Sequence, residues 1–229
     1  MSKPSFIAAL KEAAGRHWTD YVQHRFVREL GTGRLPESAF RYYLVQDYLF
    51  LLQFARAYAL AAAKADDLAD MRYAARGIAA ILDSEIDLHI AYCQGWGIGQ
   101  DEMAATPEDP ANLAYTRFVM DRGFAGDLLD LHVALTPCIL GYGEIGAMLA
   151  ASPDTVRQGN PYEAWIAVYA GPDYQGLVQG HLEFLEDLAG RRGAAARMPS
   201  LARSFTTATR LEADFWQMGL DAAPQGAPP

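Results

Sequence analysis

Cys138 is the best-placed nucleophile in the sequence. It lies in the segment LHVALTPCILGYGEIGAML, directly after Pro137. A proline inside a helix removes a backbone hydrogen bond and kinks the chain, and the glycines at positions 141, 143 and 146 permit close approach of a ligand or of backbone. A thiolate in this setting could attack an electron-poor carbon. The alternative is a small apolar core residue, which is the role predicted for Cys93.

Asp47 is the second residue whose position suggests chemistry. It lies in the segment FRYYLVQDYLFLLQFARAY. Residues three or four positions apart share a helix face, so Asp47 is in line with Tyr43, Phe50 and Phe54. A carboxylate on an aromatic face is costly unless it is paired. The residue therefore either bonds to a buried tyrosine or arginine or has a functional role.

Glu212 is a second carboxylate on an aromatic edge. Phe215 and Trp216 follow it by three and four positions in the segment FTTATRLEADFWQMG. A desolvated carboxylic acid titrates closer to neutral pH, which suits general acid or base catalysis. A solvated glutamate on a helix surface is the alternative.

Other catalytic motifs give weak or no signals. The sequence has five histidines but no HExxH or CxxC motif, no GxSxG motif and no glycine-rich phosphate loop. Glu85 and His89 are four positions apart and could ligate a metal, but an isolated pair more often has a structural role. We expect no metal and no organic cofactor.

The elements that must position these residues are helices. Helical periodicity dominates and strand-like alternation is nearly absent, so the predicted fold class is all-α, a helical bundle in one domain over residues 1–220. Residues 95–110 and 152–161 are predicted connections and residues 221–229 a disordered tail. The predicted helices cover about 4–30, 37–64, 70–95, 111–121, 128–150, 162–169, 174–189 and 199–219.

Composition excludes several classes of protein. The formal net charge is −9, which disfavours binding to nucleic acid or to anionic membranes. Two cysteines cannot build a disulfide framework, and neither a signal peptide nor an apolar run of membrane-spanning length is recognisable. The sequence predicts a soluble cytoplasmic protein without nucleic-acid or membrane partners.

Six segments together resemble the TenA family, over about residues 15–219. Each segment alone is modest evidence of a resemblance, but all six segments in this order are specific to the family. They are HRFVRELGTGRLPESAFRYYLVQDYLFLLQFAR (24–56), SEIDLHIAYCQGWGI (84–98), AYTRFV (114–119), ALTPCILGYGEIG (134–146), PYEAWIAVYAG (161–171) and RLEADFWQMG (210–219).

The resemblance implies a haem-oxygenase-like fold and a hydrolytic activity, in a protein that is usually a homotetramer. Family members hydrolyse 4-amino-5-aminomethyl-2-methylpyrimidine to the hydroxymethyl compound and ammonia, and many cleave thiamin (thiaminase II). The resemblance implies that Cys138 is the nucleophile, Glu212 the acid/base and Asp47 the carboxylate that holds the aminopyrimidine edge. It also implies a pocket lining of aromatic residues, namely Phe50, Tyr115, Tyr142 and Tyr169.

Three alternative functions remain at this point. A haem-degrading enzyme of the same fold class needs an axial histidine, for which His17 or His24 is available. A helical di-iron oxidase needs several converging carboxylates and histidines, of which Glu85 and His89 are a fragment. A non-catalytic pyrimidine-binding or regulatory protein needs the aromatic residues but neither Cys138 nor an acid/base glutamate.

Overall fold

The computed structural model describes residues 5–223, and this part of the chain contains helices, turns and no β-strand. The all-α prediction is confirmed. In chain order the helices are α1 (Phe6–Ala14), α2 (Arg16–Val22), α3 (Arg25–Gly31), α4 (Glu37–Lys64), α5 (Leu68–Ala80), a π-helical segment (Ile81–Glu85), α6 (Ile86–Gly95), α7 (Gln100–Ala105), α8 (Pro110–Ala125), α9 (Leu128–Ala151), α10 (Glu163–Ala170), α11 (Pro172–Arg191) and α12 (Ala194–Ala222).

The described residues group into two compact units. One comprises residues 5–35 and 132–217 and is called the cysteine unit, because it contains Cys138. The other comprises residues 36–131 and 218–223 and is called the aspartate unit, because it contains Asp47. The assignment of residues 1–220 to one domain stays a prediction.

Helix α4 is the centre of the aspartate unit, where α5, α6 and α8 pack against it. Glu37 in its first turn and Lys64 in its last turn both complement the helix dipole. Apolar residues occur on several of its faces, which is the pattern of a helix enclosed by others. This enclosure is what removes Asp47 from solvent.

Helix α9 is strongly apolar and carries Cys138. By length and composition it could cross a membrane, with a mean hydropathy of 1.4 over 18 residues, but 67% of that window is buried inside the protein. Asp130 and Glu144 interrupt its apolar surface. The burial fits a core helix of a soluble protein.

Several helix boundaries differ from the prediction. The first predicted helix is three helices, interrupted at Gly15, whose φ of +52° favours glycine, and again near His24. Helix α7 lies inside the predicted connection 95–110. Helix α12 begins at Ala194, five residues before Pro199, because the intervening alanines are strong helix formers. It continues to Ala222, so Asp221 and Ala222, which were predicted to belong to the tail, are helical, and residues 224–229 lie outside the described residues.

Candidate active site

Asp47 is bound by two polar side chains of the aspartate unit. It is 4% exposed, and its Oδ2 accepts a hydrogen bond from the Tyr43 hydroxyl at 3.0 Å. His89 Nε2 lies 2.6 Å from the same oxygen. The pairing with a buried tyrosine, which the sequence offered as the alternative to a functional role, is therefore present, and a histidine supplies a second partner that no local pattern indicated.

His89 is held at both ring nitrogens. Its Nδ1 lies 2.7 Å from the carbonyl oxygen of Glu85, the last residue of the π-helical segment. Burial lowers the pKa of His89, but the hydrogen bond and charge of Asp47, with a smaller contribution from Glu85, raise it by more, so the pKa lies above its ordinary value. The contact with Asp47 therefore favours the charged form of His89 despite its burial.

Phe50 and Tyr115 form the aromatic part of this unit. Their ring centroids are 5.0 Å apart, and Phe54 stacks on Phe50 at 5.2 Å. Phe50 follows Asp47 by three positions on α4, so the carboxylate and the rings share one side of that helix. The structure thus brings together two of the predicted lining residues, Phe50 and Tyr115, one turn from Asp47.

The side chain of Gln46 fixes α8 against α4. Its Nε2 donates to the carbonyl oxygen of Pro107 at 2.9 Å, and its Oε1 accepts from the backbone N–H of Asp109 at 2.9 Å. Asn112 Nδ2 donates to the Gln46 carbonyl oxygen, also at 2.9 Å. Because Asn112 is one turn before Tyr115, this network holds the Tyr115 ring in register with Phe50.

Cys138 lies on α9, which contains Pro137 in its interior, and is partly buried. The Tyr21 hydroxyl donates to the carbonyl oxygen of Pro137 at 3.4 Å. A Cβ atom at Gly141 would lie 2.1 Å from the Tyr21 ring. Glycine at position 141 is therefore what allows a buried tyrosine side chain, rather than the ligand or backbone that the sequence predicted, to reach the backbone directly before Cys138.

An aromatic cluster surrounds Tyr142 and Tyr169 in the cysteine unit. The two tyrosine rings are 5.0 Å apart, Trp165 lies 4.4 Å from Tyr169, and Trp216 lies 5.2 Å from Tyr142. A Cβ atom at Gly146 would lie 2.4 Å from the Tyr169 carbonyl carbon, so this glycine permits the close approach of α10 to α9.

Glu212 is one turn before Trp216 on α12 and is 2% exposed. This burial excludes a solvated surface glutamate, which was the alternative to a functional role. A carboxylic acid so far removed from water is suited to exchanging a proton with a bound ligand.

Two further buried histidines lie in the cysteine unit. Thr136 Oγ1 donates to the His132 carbonyl oxygen at 2.6 Å and is 2.9 Å from His181 Nε2. Burial lowers the pKa of His181 to about 4. Burial, and secondly the charge of His181, lower the pKa of His132 well below its ordinary value. Both rings are neutral near pH 7.

No group of three or more His, Cys, Asp or Glu side chains converges as a metal site within residues 5–223. Glu85 meets His89 through its backbone oxygen rather than through its carboxylate. The pair that the sequence offered as a fragment of a metal site is thus a contact that orients the His89 ring.

Residues 12–222 match the TENA/THI-4/PQQC family. The chain belongs to the TENA/THI-4/PQQC family. The TenA resemblance read from the six segments is thereby confirmed, and with it the helical fold class. The roles assigned to individual residues within that family stay predictions.

Three similar proteins illustrate what is known of this family. A protein from Haemophilus influenzae, described as uncharacterized, is 40% identical over 95% of this chain and 100% of its own. An aminopyrimidine aminohydrolase from Halalkalibacterium halodurans is 36% identical over 93% of this chain and 95% of its own. A solved structure from Silicibacter sp., described as a TenA family transcription regulator, has a TM-score of 0.89 and 43% identity, covering 96% of this chain and 99% of its own.

Proposed function

We propose that this protein is an aminopyrimidine aminohydrolase of thiamin salvage. It hydrolyses 4-amino-5-aminomethyl-2-methylpyrimidine to the hydroxymethyl compound and ammonia, and it also cleaves thiamin. The observation that carries the proposal is the buried Asp47 carboxylate one turn from the Phe50–Tyr115 pair, a surface that suits a flat ring with an amino group. Relatives described as aminopyrimidine aminohydrolases support it.

Cys138 is the nucleophile in this proposal. The bond to be broken joins a methylene carbon to nitrogen on an electron-poor ring. The Cys138 thiolate adds to a ring carbon, forming a C–S bond, while Glu212 delivers a proton to a ring nitrogen. This protonation avoids a ring anion in a poorly solvated site.

The ring is then electron-rich and expels the amine. The C–N bond breaks, and its electron pair leaves with the nitrogen, which takes a proton to depart as ammonia. Water adds its hydroxyl group to the exocyclic carbon, and the proton that it releases replaces the one carried away by ammonia. The ring nitrogen then returns its proton to Glu212 as the C–S bond breaks and the thiolate departs. The net reaction exchanges an amino group for a hydroxyl group and requires neither a metal nor an organic cofactor.

Asp47 binds the pyrimidine in this scheme. An ionised carboxylate accepts a hydrogen bond from the exocyclic amino group of the ring. Phe50, Tyr115, Tyr142 and Tyr169 contact the ring faces and favour planar ligands.

A second candidate is a regulatory pyrimidine-binding protein, because the Silicibacter protein is described as a transcription regulator. The net charge of −9 disfavours direct contact with DNA. A binding function also requires neither Cys138 nor Glu212, whereas the proposed reaction uses both.

The haem-oxygenase alternative gains no support from His24. Its Nδ1 accepts a hydrogen bond from the backbone N–H of Phe26 and so caps α3. A Soret band that is identical to that of free haemin after haemin is added to the purified protein would close this alternative.

We also propose that the protein is a cytoplasmic homotetramer, as the family resemblance implies. Apolar side chains of the aspartate unit are exposed, as expected where subunits meet: Leu68, Met71, Leu82 and Phe124. Light scattering on the purified protein should give four times the chain mass, and a monomeric mass contradicts this part of the proposal.

Ammonia release from 4-amino-5-aminomethyl-2-methylpyrimidine tests the proposed function. Wild type should release ammonia, and Cys138→Ala should reduce the rate at least about 10³-fold, because no other thiol replaces the nucleophile. Cys93→Ala is the matched control: burial raises the pKa of the Cys93 thiol to about 11, so this residue stays protonated and its loss should leave the rate within about twofold. Comparable turnover by Cys138→Ala removes the covalent mechanism.

A further inference from the structure

The Asp47 carboxylate is held asymmetrically by its protein partners. Both hydrogen bonds, from Tyr43 at 3.0 Å and from His89 at 2.6 Å, fall on Oδ2. Oδ2 therefore has its hydrogen-bonding capacity used within the protein. The oxygen that remains for a ligand is Oδ1.

The hydrogen-bond partners of His89 fix its protonation. A backbone carbonyl oxygen can only accept, so Nδ1, at 2.7 Å from the Glu85 oxygen, must carry a proton. Nε2 and Asp47 Oδ2 then share a second proton across 2.6 Å. Because Tyr43 also donates to Oδ2, the proton resides on Nε2, and the pair is an imidazolium and a carboxylate.

The His89 ring cannot readily turn away from Asp47. It is completely buried, and Nδ1 is anchored to the backbone at the junction of the π-helical segment and α6. Single π-helical turns inside α-helices occur frequently at functional sites. Here the turn ends at Glu85, the residue whose carbonyl oxygen orients the ring.

We propose that His89 is a positioning residue, which donates a hydrogen bond to Asp47 Oδ2 and directs Oδ1 to the exocyclic amino group of an aminopyrimidine. The inference rests on the proposed function, because it names how that site recognises its substrate. A carboxylate oxygen that is ionised and fixed in direction accepts a hydrogen bond more strongly than a neutral or mobile one. His89 itself need not contact the substrate.

Two substitutions separate the roles of the two ring nitrogens. The side-chain amide of His89→Gln can reach the position of Nε2 and donate to Asp47, whereas that of His89→Asn is shorter and matches Nδ1. His89→Asn should raise the KM for 4-amino-5-aminomethyl-2-methylpyrimidine about 10- to 100-fold, the range found for residues that orient a liganding group, with a smaller change in kcat. His89→Gln should recover most of the loss.

A double-mutant cycle with Asp47→Asn shows whether His89 acts through Asp47. If it does, His89→Asn added to Asp47→Asn should change KM less than about threefold. An equal effect of His89→Asn in both backgrounds means a purely structural role and overturns the proposal. His181→Gln, which replaces another completely buried histidine, is the control and should leave KM unchanged.

Nitrogen-15 NMR of wild type labelled at histidine needs no variant. At pH 7 the His89 ring should carry protons on both nitrogens, and a ring with one proton overturns the proposal.

The dissociation constant of the product, 4-amino-5-hydroxymethyl-2-methylpyrimidine, should change among the variants in the same order as KM. If wild type binds this product but releases no ammonia, the proposed reaction fails while the product-binding pattern still decides the role of His89. If wild type neither binds nor reacts, both proposals fail.

Discussion

The surroundings of Asp47 and of Cys138 both include completely buried histidines, but those histidines differ in charge. In the aspartate unit His89 contacts Asp47, and its pKa is raised. In the cysteine unit the rings of His132 and His181 have centroids 6.0 Å apart, the Thr136 hydroxyl lies 2.9 Å from His181 Nε2, and the pKa of each histidine is lowered. Burial is similar in the two places, so burial does not explain the difference. A carboxylate within hydrogen-bonding distance reverses the effect of desolvation, whereas a hydroxyl does not.

The difference matches the two tasks that we propose for these regions. Recognition of an aminopyrimidine requires a fixed negative charge, and the aspartate unit stabilises one with a buried cation. Helix α9 contributes a thiol, and the two buried histidines of this unit, His132 on α9 and His181 on α11, are neutral and add no charge to the core.

Asp47→Asn should have the largest effect on the difference between the two regions. The substitution leaves the buried His89 without its counter-charge, and removing one partner of a buried ion pair costs about 3–5 kcal/mol of unfolding free energy. Urea denaturation at pH 6, where an isolated histidine is still largely protonated, measures this. An effect below about 1 kcal/mol would show that the pair is not ionic.

Acid pH should destabilise the cysteine unit through its neutral histidines. The His181 pKa is about 4 in the folded chain and 6.5 in the unfolded chain, so the unfolded state binds more protons between these values. Stability conferred by the neutral ring is complete above pH 6.5 and falls by up to about 1.4 kcal/mol per pH unit as the pH decreases towards 4.

His181→Gln keeps a donor near Thr136 but cannot titrate. Denaturation measured between pH 4.5 and 7.5 should therefore show a smaller slope for this variant than for wild type, and equal slopes would contradict the neutral state of His181. His89 has the opposite dependence: its raised pKa means that its contribution is complete below pH 6.5 and is lost as the pH rises through the folded value.

Tyr43→Phe should have the smallest effect. It removes one hydrogen bond from Asp47 Oδ2 and leaves His89 in place, so we expect a loss of about 0.5–1.5 kcal/mol in unfolding free energy. The KM of this variant should rise less than that of His89→Asn. The reverse order would mean that Tyr43, rather than the imidazolium, sets the direction of the carboxylate.

The features that could be predicted from the sequence are those that depend on the spacing of residues close together in the chain. The pairing of Asp47 with a tyrosine on the same face follows from the four-residue interval to Tyr43, and the close approach of α10 to α9 follows from Gly146. The kink expected at Pro137 is not present as a break, because α9 continues from Leu128 to Ala151. The long helices were predicted for the same reason, because their apolar residues recur with helical periodicity.

The contact between His89 and Asp47 was not predicted, because 42 positions separate the two residues and no local pattern links them. The sequence offered His89 only as one half of a weak metal pair with Glu85. The π-helical segment that orients its ring was also missed, since one additional residue in a turn leaves the hydrophobic periodicity nearly unchanged. Helix α7 has only six residues, too few for a periodic pattern to be recognised.

Equilibrium titration of 4-amino-5-hydroxymethyl-2-methylpyrimidine into Cys138→Ala and Asp47→Asn tests the division of tasks between the two regions. The account predicts that Cys138→Ala binds this product with a dissociation constant within about threefold of wild type, while Asp47→Asn binds it at least about tenfold more weakly, a loss of about 1.4 kcal/mol. Wild-type affinity in Asp47→Asn, or loss of binding in a folded Cys138→Ala, would contradict it.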